Sequence, residues 1–141
     1  MAQLVKDVMT TGVRTLPPDA SLVEAARLMR DEDIGDVMVA DDGRLLGVLT
    51  DRDIAVRSVA MGHDPYIMPV RSVCTPEVLT IRPDEEASKA VWLMRMHMVR
   101  RLAVVEDGRP LGVVTLGDLA RARDPGSVLA GISAGPPNSG A

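Results

Sequence analysis

The chain has almost no aromatic residues: Trp92 and Tyr66 are the only ones, and phenylalanine is absent. Its core must therefore be aliphatic, built from Val, Leu, Ile, Ala and Met. The single cysteine, Cys74, excludes an intramolecular disulfide and fits a reducing compartment. Nothing at the start resembles a secretion signal, and no apolar run approaches the roughly 20 residues of a membrane span. We therefore expect a soluble, cytoplasmic protein.

Positive charge and metal-binding residues are scarce as well. The 16 Lys and Arg residues are outnumbered by 20 Asp and Glu, giving a net charge of −4, which argues against a nucleic-acid surface. His63 and His97 have no Cys or His at ligand spacing, so we expect no metal site. Cys74 has no histidine at a nucleophile motif, and no pair of carboxylates is singled out for acid–base chemistry. We expect neither an enzyme nor a cofactor.

The main positive feature is an internal repeat. Residues 5–57 align with residues 70–122 without a gap, and 21 of the 53 aligned positions are identical. Chance would give only a handful of scattered matches. Each copy has roughly 60 residues, which is marginal for an independent fold because so small a unit buries too little surface. The duplication therefore predicts two halves that fold together, with equivalent surfaces and a pseudo-symmetric cleft.

Composition divides the chain into four parts. A turn-rich stretch around Gly62-His63-Asp64-Pro65 separates the two copies. The end of the chain is rich in Gly, Pro, Ser and Ala, so we expect one or two helical turns at 127–132 and disorder at 135–141. The predicted domains are repeat 1 at 1–62, a linker at 63–69, repeat 2 at 70–123 and a tail at 124–141.

Each repeat is predicted to run strand, helix, strand, strand, helix, which makes the fold class α+β. In repeat 1, Pro17-Pro18 ends the first strand, and Asp19 or Ser21 caps the first helix. Asp42-Gly43 predicts a hairpin, and Thr50 caps the final helix. The predicted elements of repeat 1 include strands 13–16, 37–40 and 45–49 and a final helix at 51–60. Those of repeat 2 are strand 78–81, helix 84–98, strands 102–105 and 111–114 around Asp107-Gly108, and helix 115–121.

Two stretches, 47–53 and 112–118, share a glycine, two aliphatic residues and then Thr-x-x-Asp. A strand delivers the chain to a helix start, whose free N–H groups and positive dipole end suit phosphate. A carboxylate there can accept hydrogen bonds from a vicinal diol such as ribose. The same spacing is also an ordinary capping box, in which the side chains serve only the helix. Duplication weakens this second explanation without removing it, because caps are copied too.

At these residues the chain resembles the CBS domain, named for cystathionine beta-synthase, and as a whole it resembles a tandem CBS pair, or Bateman module. The resemblance covers residues 4–122. It rests on the opening segment at 5–10, the central strand and turn at 99–108, and the two Thr-x-x-Asp stretches. The stretch 50–57 is similar to small stand-alone bacterial CBS-pair proteins. The family implies two β-α-β-β-α repeats packed through their sheets with pseudo-twofold symmetry.

CBS pairs commonly bind adenosine-containing ligands in two clefts, so the resemblance implies AMP, ADP, ATP, NAD(H) or S-adenosylmethionine as the ligand class. By this resemblance Asp53 and Asp118 bind ribose hydroxyls, while Thr50 and Thr115 lie near the ribose or phosphate. The adenine is expected to lie against groups contributed largely by the other repeat. One expected cleft combines Thr115 and Asp118 with Thr10, Val13, Ile34 and Gly35; the other combines Thr50 and Asp53 with Thr75, Val78, Val99, Arg100 and Arg101.

The two expected clefts differ in charge. Arg52 lies inside the first motif, where repeat 2 has glycine, and Arg100 and Arg101 stand where repeat 1 has Gly-Asp. The cleft of the first motif would then gather cations and favour a phosphorylated ligand. The other cleft would be the weaker phosphate site. The alternative is that these arginines lie in solvent or pair with Asp51 and Glu106.

Two functions from different classes follow. The favoured one is a regulatory module that senses an adenosyl ligand and alters a protein partner by shifting between two states. The alternative is a ligand-independent, stress-related dimeric scaffold, in which the motifs are caps and nothing more. Trp92, with Met94, Met96 and Met98 after it, is either core or an interface anchor. We expect a homodimer through the repeat helices, and neither nucleic acid nor a membrane as partner.

Overall fold

A computed structural model describes residues 2–76, 78–123 and 126–133, which fall into two compact units. Unit N is Arg14–Val78, and unit C combines the residues up to Val13 with those from Leu79 onward. Unit N therefore holds most of repeat 1, and unit C holds most of repeat 2. Each unit also contains the opening segment of the other repeat.

The chain contains both helices and short strands, and the predicted α+β class is confirmed. The strands are β1 (Thr10–Thr11), β2 (Thr15–Leu16), β3 (Asp36–Asp41), β4 (Arg44–Thr50), β5 (Thr80–Ile81), β6 (Arg101–Glu106) and β7 (Arg109–Thr115). The α-helices are α1 (Val5–Val8), α2 (Leu22–Glu32), α3 (Asp51–Asp53), α4 (Ala87–His97), α5 (Leu116–Arg123) and α6 (Val128–Ser133). A π-helical segment spans Ile54–Ser58, and 3₁₀ turns span Val59–Met61 and Val70–Ser72.

Each unit contains one sheet built around a hairpin. The strand order is β2-β3-β4 in unit N and β1-β7-β6-β5 in unit C. The hairpin strands are antiparallel, whereas β2 runs parallel to β3 and β5 runs parallel to β6. All four residues of the turns Asp42-Gly43 and Asp107-Gly108 have positive φ, as a type I′ turn requires. Both hairpins predicted from these dipeptides are confirmed.

The first helix of repeat 1 begins where its capping signal predicts. The Ser21 hydroxyl accepts a hydrogen bond from the Glu24 N–H at 3.1 Å, so Ser21 rather than Asp19 is the cap. The apolar residues at helical spacing face the sheet of the same unit. The buried core of unit N consists of Ala20, Leu22, Ala25, Met29, Val37, Val39, Leu49, Val70, Val73 and Cys74.

The corresponding helix of repeat 2 is shorter than predicted. It was expected over 84–98, but α4 begins at Ala87 after the cap residue Glu86. The preceding residues form a turn instead, because the Glu85 carboxylate accepts the Arg82 N–H at 2.9 Å. The helix ends at His97, since Met98 adopts a left-handed φ of 53°.

The final helix of repeat 1 is wound differently from the prediction, which gave one regular helix over 51–60. The helical run extends from Asp51 to Met61, but it passes from α through π to 3₁₀. The Val59 N–H reaches back to the Ile54 carbonyl, a five-residue step that inserts one extra residue in the turn. The equivalent helix of unit C, α5, is regular. Identical Thr-x-x-Asp starts therefore continue in different helical forms.

The opening segment of each repeat completes the unit that contains the other repeat. Val5 of α1 is fully buried in the core of unit C, and Val70 is fully buried in the core of unit N. Strand β1 pairs antiparallel with β7 in unit C. At the equivalent place in unit N, Thr75 forms an isolated bridge with Val48. Neither α1 nor β1 was expected as an element from the sequence.

The buried core of each unit is aliphatic, as the scarcity of aromatic residues predicts. Trp92 is 56% exposed and Tyr66 is 70% exposed. The core of unit C consists of Val5, Ile81, Ala87, Ala90, Met94, Leu102, Val104, Val114 and Leu119. Within the described ranges, no helix is both long enough and apolar enough to cross a membrane.

Candidate functional site

The two Thr-x-x-Asp motifs occupy the same place in both units, where the last strand of the hairpin enters a helix. Thr50 ends β4, and Thr115 ends β7. In unit N the Thr50 N–H donates to Asp53 at 2.9 Å and the Asp53 N–H donates to the Thr50 hydroxyl at 3.0 Å. In unit C both equivalent distances between Thr115 and Asp118 are 3.0 Å. Both motifs are therefore capping boxes, whatever else they do.

The capping box uses only part of the Asp53 carboxylate. Its Oδ2 accepts the Thr50 N–H. Its Oδ1 faces Arg57, whose Nε is 3.8 Å away, too far for a hydrogen bond, and the Asp53 side chain is 15% exposed. A carboxylate offers about four acceptor positions. Asp53 therefore keeps acceptor capacity for a ligand hydroxyl.

The Asp118 carboxylate is more enclosed than that of Asp53. Besides the Thr115 N–H, it accepts the Thr10 hydroxyl, which lies 3.2 Å from Oδ1 and 3.3 Å from Oδ2. The Arg121 guanidinium also binds Oδ1, and the Asp118 side chain is only 3% exposed. The structure thus brings together Thr10 and Asp118, which the sequence assigned to one cleft.

Sequence reasoning did not single out the two arginines that face these carboxylates. Arg57 lies four residues after Asp53, and Arg121 lies three residues after Asp118. A signal was present, because side chains three or four residues apart are neighbours on a helix. The two arginines do not occupy equivalent positions in the two repeats, so aligning the repeats does not identify them.

The glycine that begins each motif is required by a close backbone approach. A Cβ atom on Gly112 would lie 2.3 Å from the Thr10 carbonyl oxygen. A Cβ atom on Gly47 would lie 2.6 Å from the Thr75 carbonyl oxygen and 2.9 Å from Cys74 Sγ. Glycine therefore lets each opening segment lie directly against the strand that leads into the motif.

The other predicted site residues divide between the two units. Thr10 and Val13 lie in unit C with the Thr115 motif, and Thr75 and Val78 lie in unit N with the Thr50 motif. The remaining residues belong to the unit opposite the motif to which they were assigned, so that grouping stays a prediction. These are Ile34 and Gly35 in unit N, and Val99, Arg100 and Arg101 in unit C.

Two of these residues also contact the motif of their own unit through the backbone. The Gly35 carbonyl accepts the Asp51 N–H at 2.9 Å, and the Arg100 carbonyl accepts the Leu116 N–H at 2.8 Å. Each bond ties the start of a hairpin strand to the residue that follows the motif threonine. The entry into the helix is therefore fixed from two sides in both units.

The expected cluster of cations is exposed. Arg52, Arg100 and Arg101 all lie at the surface, which also agrees with the alternative that they lie in solvent. The Glu106 carboxylate, one of the two partners considered in the alternative, lies 3.9 Å from the Arg82 guanidinium. The Asp51 carboxylate, the other partner, accepts the backbone N–H of Arg52 at 2.8 Å. The gathering of these arginines around one ligand stays a prediction.

Cys74 is a packed thiol. It is 8% exposed, and burial raises the pKa of its thiol above the ordinary value. The sulfur lies 3.8 Å from the Arg71 carbonyl oxygen, within reach of a weak S–H hydrogen bond. At neutral pH the group is therefore a neutral thiol, a poor nucleophile and a poor metal ligand.

Comparison with known proteins decides the family. A model of the CBS domain matches residues 5–59 and again residues 70–124. The chain belongs to the CBS domain family. It is 43% identical over 116 residues to the CBS domain-containing protein YhcV of Bacillus subtilis, an alignment that covers 82% of each protein. The tandem CBS pair recognised in the sequence is confirmed.

Solved structures of other CBS proteins share the fold. Hypoxic Response Protein I, with two coordinated zinc ions, has a TM-score of 0.76 at 33% identity, over 84% of this chain and 98% of that one. The CBS domain pair of protein MJ0100, in complex with 5′-methylthioadenosine and S-adenosylmethionine, has a TM-score of 0.74 at 27% identity, over 86% and 96%. In the described part of the present chain, no three His, Cys, Asp or Glu side chains group as a metal site.

Proposed function

We propose that this CBS pair is a non-enzymatic regulatory module that binds an adenosine-containing ligand through its Thr-x-x-Asp motifs. The ligand class is an adenine nucleotide, NAD(H) or S-adenosylmethionine. Ribose hydroxyls donate to a motif carboxylate, for which Asp53 and Asp118 are the two candidates, with Thr50 or Thr115 beside the ribose or phosphate. Binding favours one conformation of the chain over another and so alters a protein partner, because a ligand shifts an equilibrium by its differential affinity for the two states.

One observation carries the proposal: the Asp53 carboxylate is held in a fixed orientation and is only partly used. The Thr50 N–H fixes Oδ2, while Oδ1 has no hydrogen-bond partner among the residues that the structure describes. An ionised carboxylate is purely an acceptor, and a vicinal diol offers two donors. The complex of MJ0100 supports the ligand class, since both of its ligands are adenosyl compounds.

A phosphate on the ligand is supported by the exposed arginines. Arg52 is the second residue after strand β4, and its side chain and that of Arg100 make no ion pair with any described residue. Guanidinium groups recognise phosphate through two parallel hydrogen bonds. We therefore expect AMP to bind more tightly than adenosine, and Arg52→Gln to remove that preference.

The test is calorimetric titration of the purified full-length chain with AMP, ADP, ATP, NAD(H) and S-adenosylmethionine. Asp53→Asn keeps an oxygen that can accept the Thr50 N–H but replaces the other acceptor with a donor. We expect it to weaken binding by about tenfold or more, the order of a lost hydrogen bond to a charged group. Absence of heat for every probe up to millimolar concentration would count against the proposal.

A matched control separates ligand binding from capping. Ser21→Ala removes the cap of α2, since the Ser21 hydroxyl holds the Glu24 N–H, and it lies outside both motifs. Asp53→Asn keeps an acceptor for the Thr50 N–H, so Ser21→Ala should lower the melting temperature at least as much, but only Asp53→Asn should reduce the stabilisation that ligand produces by mass action. Equal loss of ligand response in both variants would mean that the effect comes from helix destabilisation.

The second candidate, a ligand-independent interaction scaffold, is favoured by two observations. Both motifs form complete capping boxes, which explains their residues without any ligand. In addition, α4 exposes Trp92 at 56% and Met96 at 61%, as interface anchors do before a partner covers them. A thermal-shift series with the same probes distinguishes the two functions, because a scaffold gives no ligand-dependent rise.

A homodimer and a cytoplasmic location complete the proposal. Trp92 is the exposed anchor of the proposed dimer contact, and repeat 1 carries Arg27 at the equivalent position. Trp92→Arg should therefore convert a dimer to a monomer in sedimentation equilibrium, whereas Arg27→Gln should not. The cytoplasmic location is supported by the free, buried thiol of Cys74, which a reducing compartment preserves.

A further inference from the structure

The two Asp carboxylates of the motifs differ in how far their own unit already occupies them. Asp118 accepts from the Thr115 N–H, from the Thr10 hydroxyl and from the Arg121 guanidinium. The Thr10 hydrogen is shared between both oxygens, at 3.2 and 3.3 Å. These three donors occupy most of the roughly four acceptor positions that a carboxylate has, and the side chain is 3% exposed.

Asp53 has the same capping contact but lacks the other two. The residue equivalent to Thr10 is Thr75, whose hydroxyl makes no hydrogen bond to any residue that the structure describes. The residue equivalent to Arg121 is Val56, which is 50% exposed and carries no donor. The nearest cation, Arg57, stays 3.8 Å from Oδ1. The Asp53 side chain is also five times as exposed, 15% against 3%.

We infer that the two motifs are not equivalent sites: Asp53 is open to a diol, while Thr10 and Arg121 hold Asp118 closed. This inference rests on the proposed function. A ribose that approaches Asp118 must first displace the Thr10 hydroxyl, which is chemically the same donor that the ribose would supply. The exchange gains little, because one hydroxyl–carboxylate hydrogen bond replaces another. The full chain therefore binds one ligand, at Asp53, and Thr10 determines that the second motif stays unoccupied.

Thr10 lies at the surface in a two-residue edge strand. Its hydrogen bond to Asp118 can therefore be removed by a substitution that leaves the buried aliphatic core unchanged. Strand β1 pairs with Val113 and Gly112 through its backbone, and a valine side chain is compatible with that pairing. Thr10→Val has nearly the shape of threonine but no hydroxyl. Thr11, the next residue of the same strand, makes no side-chain hydrogen bond within the described ranges, so Thr11→Val is a matched control.

The experiment counts binding sites per chain by equilibrium dialysis, with AMP and S-adenosylmethionine as probes. We expect one site in the wild type and in Thr11→Val, and two sites in Thr10→Val. In an Asp53→Asn background, Thr10→Val should restore one site per chain, and Thr11→Val should restore none. Circular dichroism and urea unfolding establish that each variant is folded before its sites are counted.

The outcomes separate this inference from the proposed function. Two equal sites in the wild type, or a Thr10→Val variant that still binds one ligand, would overturn the closed state of Asp118 while leaving the ligand-binding function intact. No binding of either probe by any folded variant would overturn the proposed function and the inference with it. If one site survives Asp53→Asn with unchanged affinity, the ligand does not bind at Asp53. That result would contradict both the role of Asp53 in the proposed function and the inference that Asp53 is the open motif.

Discussion

The hydroxyl of Thr10 lies 3.2 Å from the nearer carboxylate oxygen of Asp118, although more than a hundred residues separate the two in sequence. The bond ties the opening segment of the chain to the end of repeat 2. Its donor is on an exposed strand, while its acceptor is almost fully buried. Removing a hydrogen-bond donor from a buried carboxylate lowers the free energy of unfolding. The bond from Thr10 therefore contributes to stability whatever ligand the protein binds.

The first prediction concerns that bond. Thr10→Val should lower the free energy of unfolding by about 1–3 kcal/mol, the cost of removing a donor from a buried charged acceptor. Thr75→Val, at the equivalent position of the other repeat, should change it by less than about 0.5 kcal/mol, because the half-buried Thr75 hydroxyl makes no hydrogen bond to a described residue. Urea unfolding monitored by circular dichroism measures both. Equal losses in the two variants would show that the Thr10 hydroxyl has no special role.

The second prediction concerns the motif glycines. Gly47→Ala and Gly112→Ala each place a Cβ atom within 2.6 Å of a backbone carbonyl oxygen. Because backbone cannot swing aside as a side chain can, each should cost about 1–3 kcal/mol or more by overpacking. Gly131→Ala in α6 meets no atom within 4 Å and should be neutral or slightly stabilising, since alanine favours helix. Unfolding curves for all three variants provide the measurement.

The third prediction is a pH dependence at Glu85. Hydrogen bonds from Lys89 and from the Arg82 N–H lower the pKa of Glu85 below its ordinary value. A lowered folded-state pKa means that the contribution to stability is complete above the unfolded-state pKa and is lost as pH falls through the folded-state value. The pair is partly exposed, so its contribution is roughly 0.2–1 kcal/mol.

Glu85→Gln measures that contribution. The variant should be slightly less stable than the wild type at pH 7, and the difference should disappear as the solution is acidified below the ordinary pKa of glutamate. Urea unfolding at a series of pH values gives the difference directly. A difference that grows on acidification would have the wrong sign for this ion pair.

The fourth prediction concerns Cys74. Burial raises the pKa of its thiol, so only a small fraction is thiolate at neutral pH, and the sulfur is shielded as well. Reaction with a thiol reagent should therefore be slow in the native protein and fast after unfolding in guanidinium chloride. Because the site opens only when the fold does, Gly47→Ala should accelerate labelling of the native protein. Rapid labelling of the native wild type is the contrary result.

Local signals in the sequence predicted the elements that local chemistry determines. The dipeptides Asp42-Gly43 and Asp107-Gly108 predicted both hairpins. The two central residues of such a turn both need a positive φ, which few pairs other than Asp-Gly and its close analogues adopt readily. The capping signal at Asp19 or Ser21 predicted the start of α2 for a similarly local reason, and the structure shows that Ser21 is the cap. The Thr-x-x-Asp pattern predicted the capping geometry of both motifs, which depends on four consecutive residues only.

The features that the sequence did not predict depend on contacts between distant segments. Strand β1 has only two residues, too short for any periodicity, and it forms because β7 offers an edge. The π-helical turn at Ile54–Ser58 follows the same motif as the regular helix α5, so no motif-level signal distinguishes them. The closure of Asp118 depends on the Thr10 hydroxyl, 108 residues away in sequence, which the family resemblance and no local pattern placed near Asp118. The Arg121 contact is local, and helical spacing was a signal for it.

The most direct test of the central claim locates the ligand by the backbone amides of the motif. In ¹H–¹⁵N spectra of the labelled protein, saturating AMP or S-adenosylmethionine should shift the signals of Thr50 and Asp53, whose N–H groups form the capping box. The capped amide of Glu24, which serves α2 alone, should stay in place. A saturable response confined to residues away from Thr50 and Asp53, or no response to any adenosyl compound, would contradict the account.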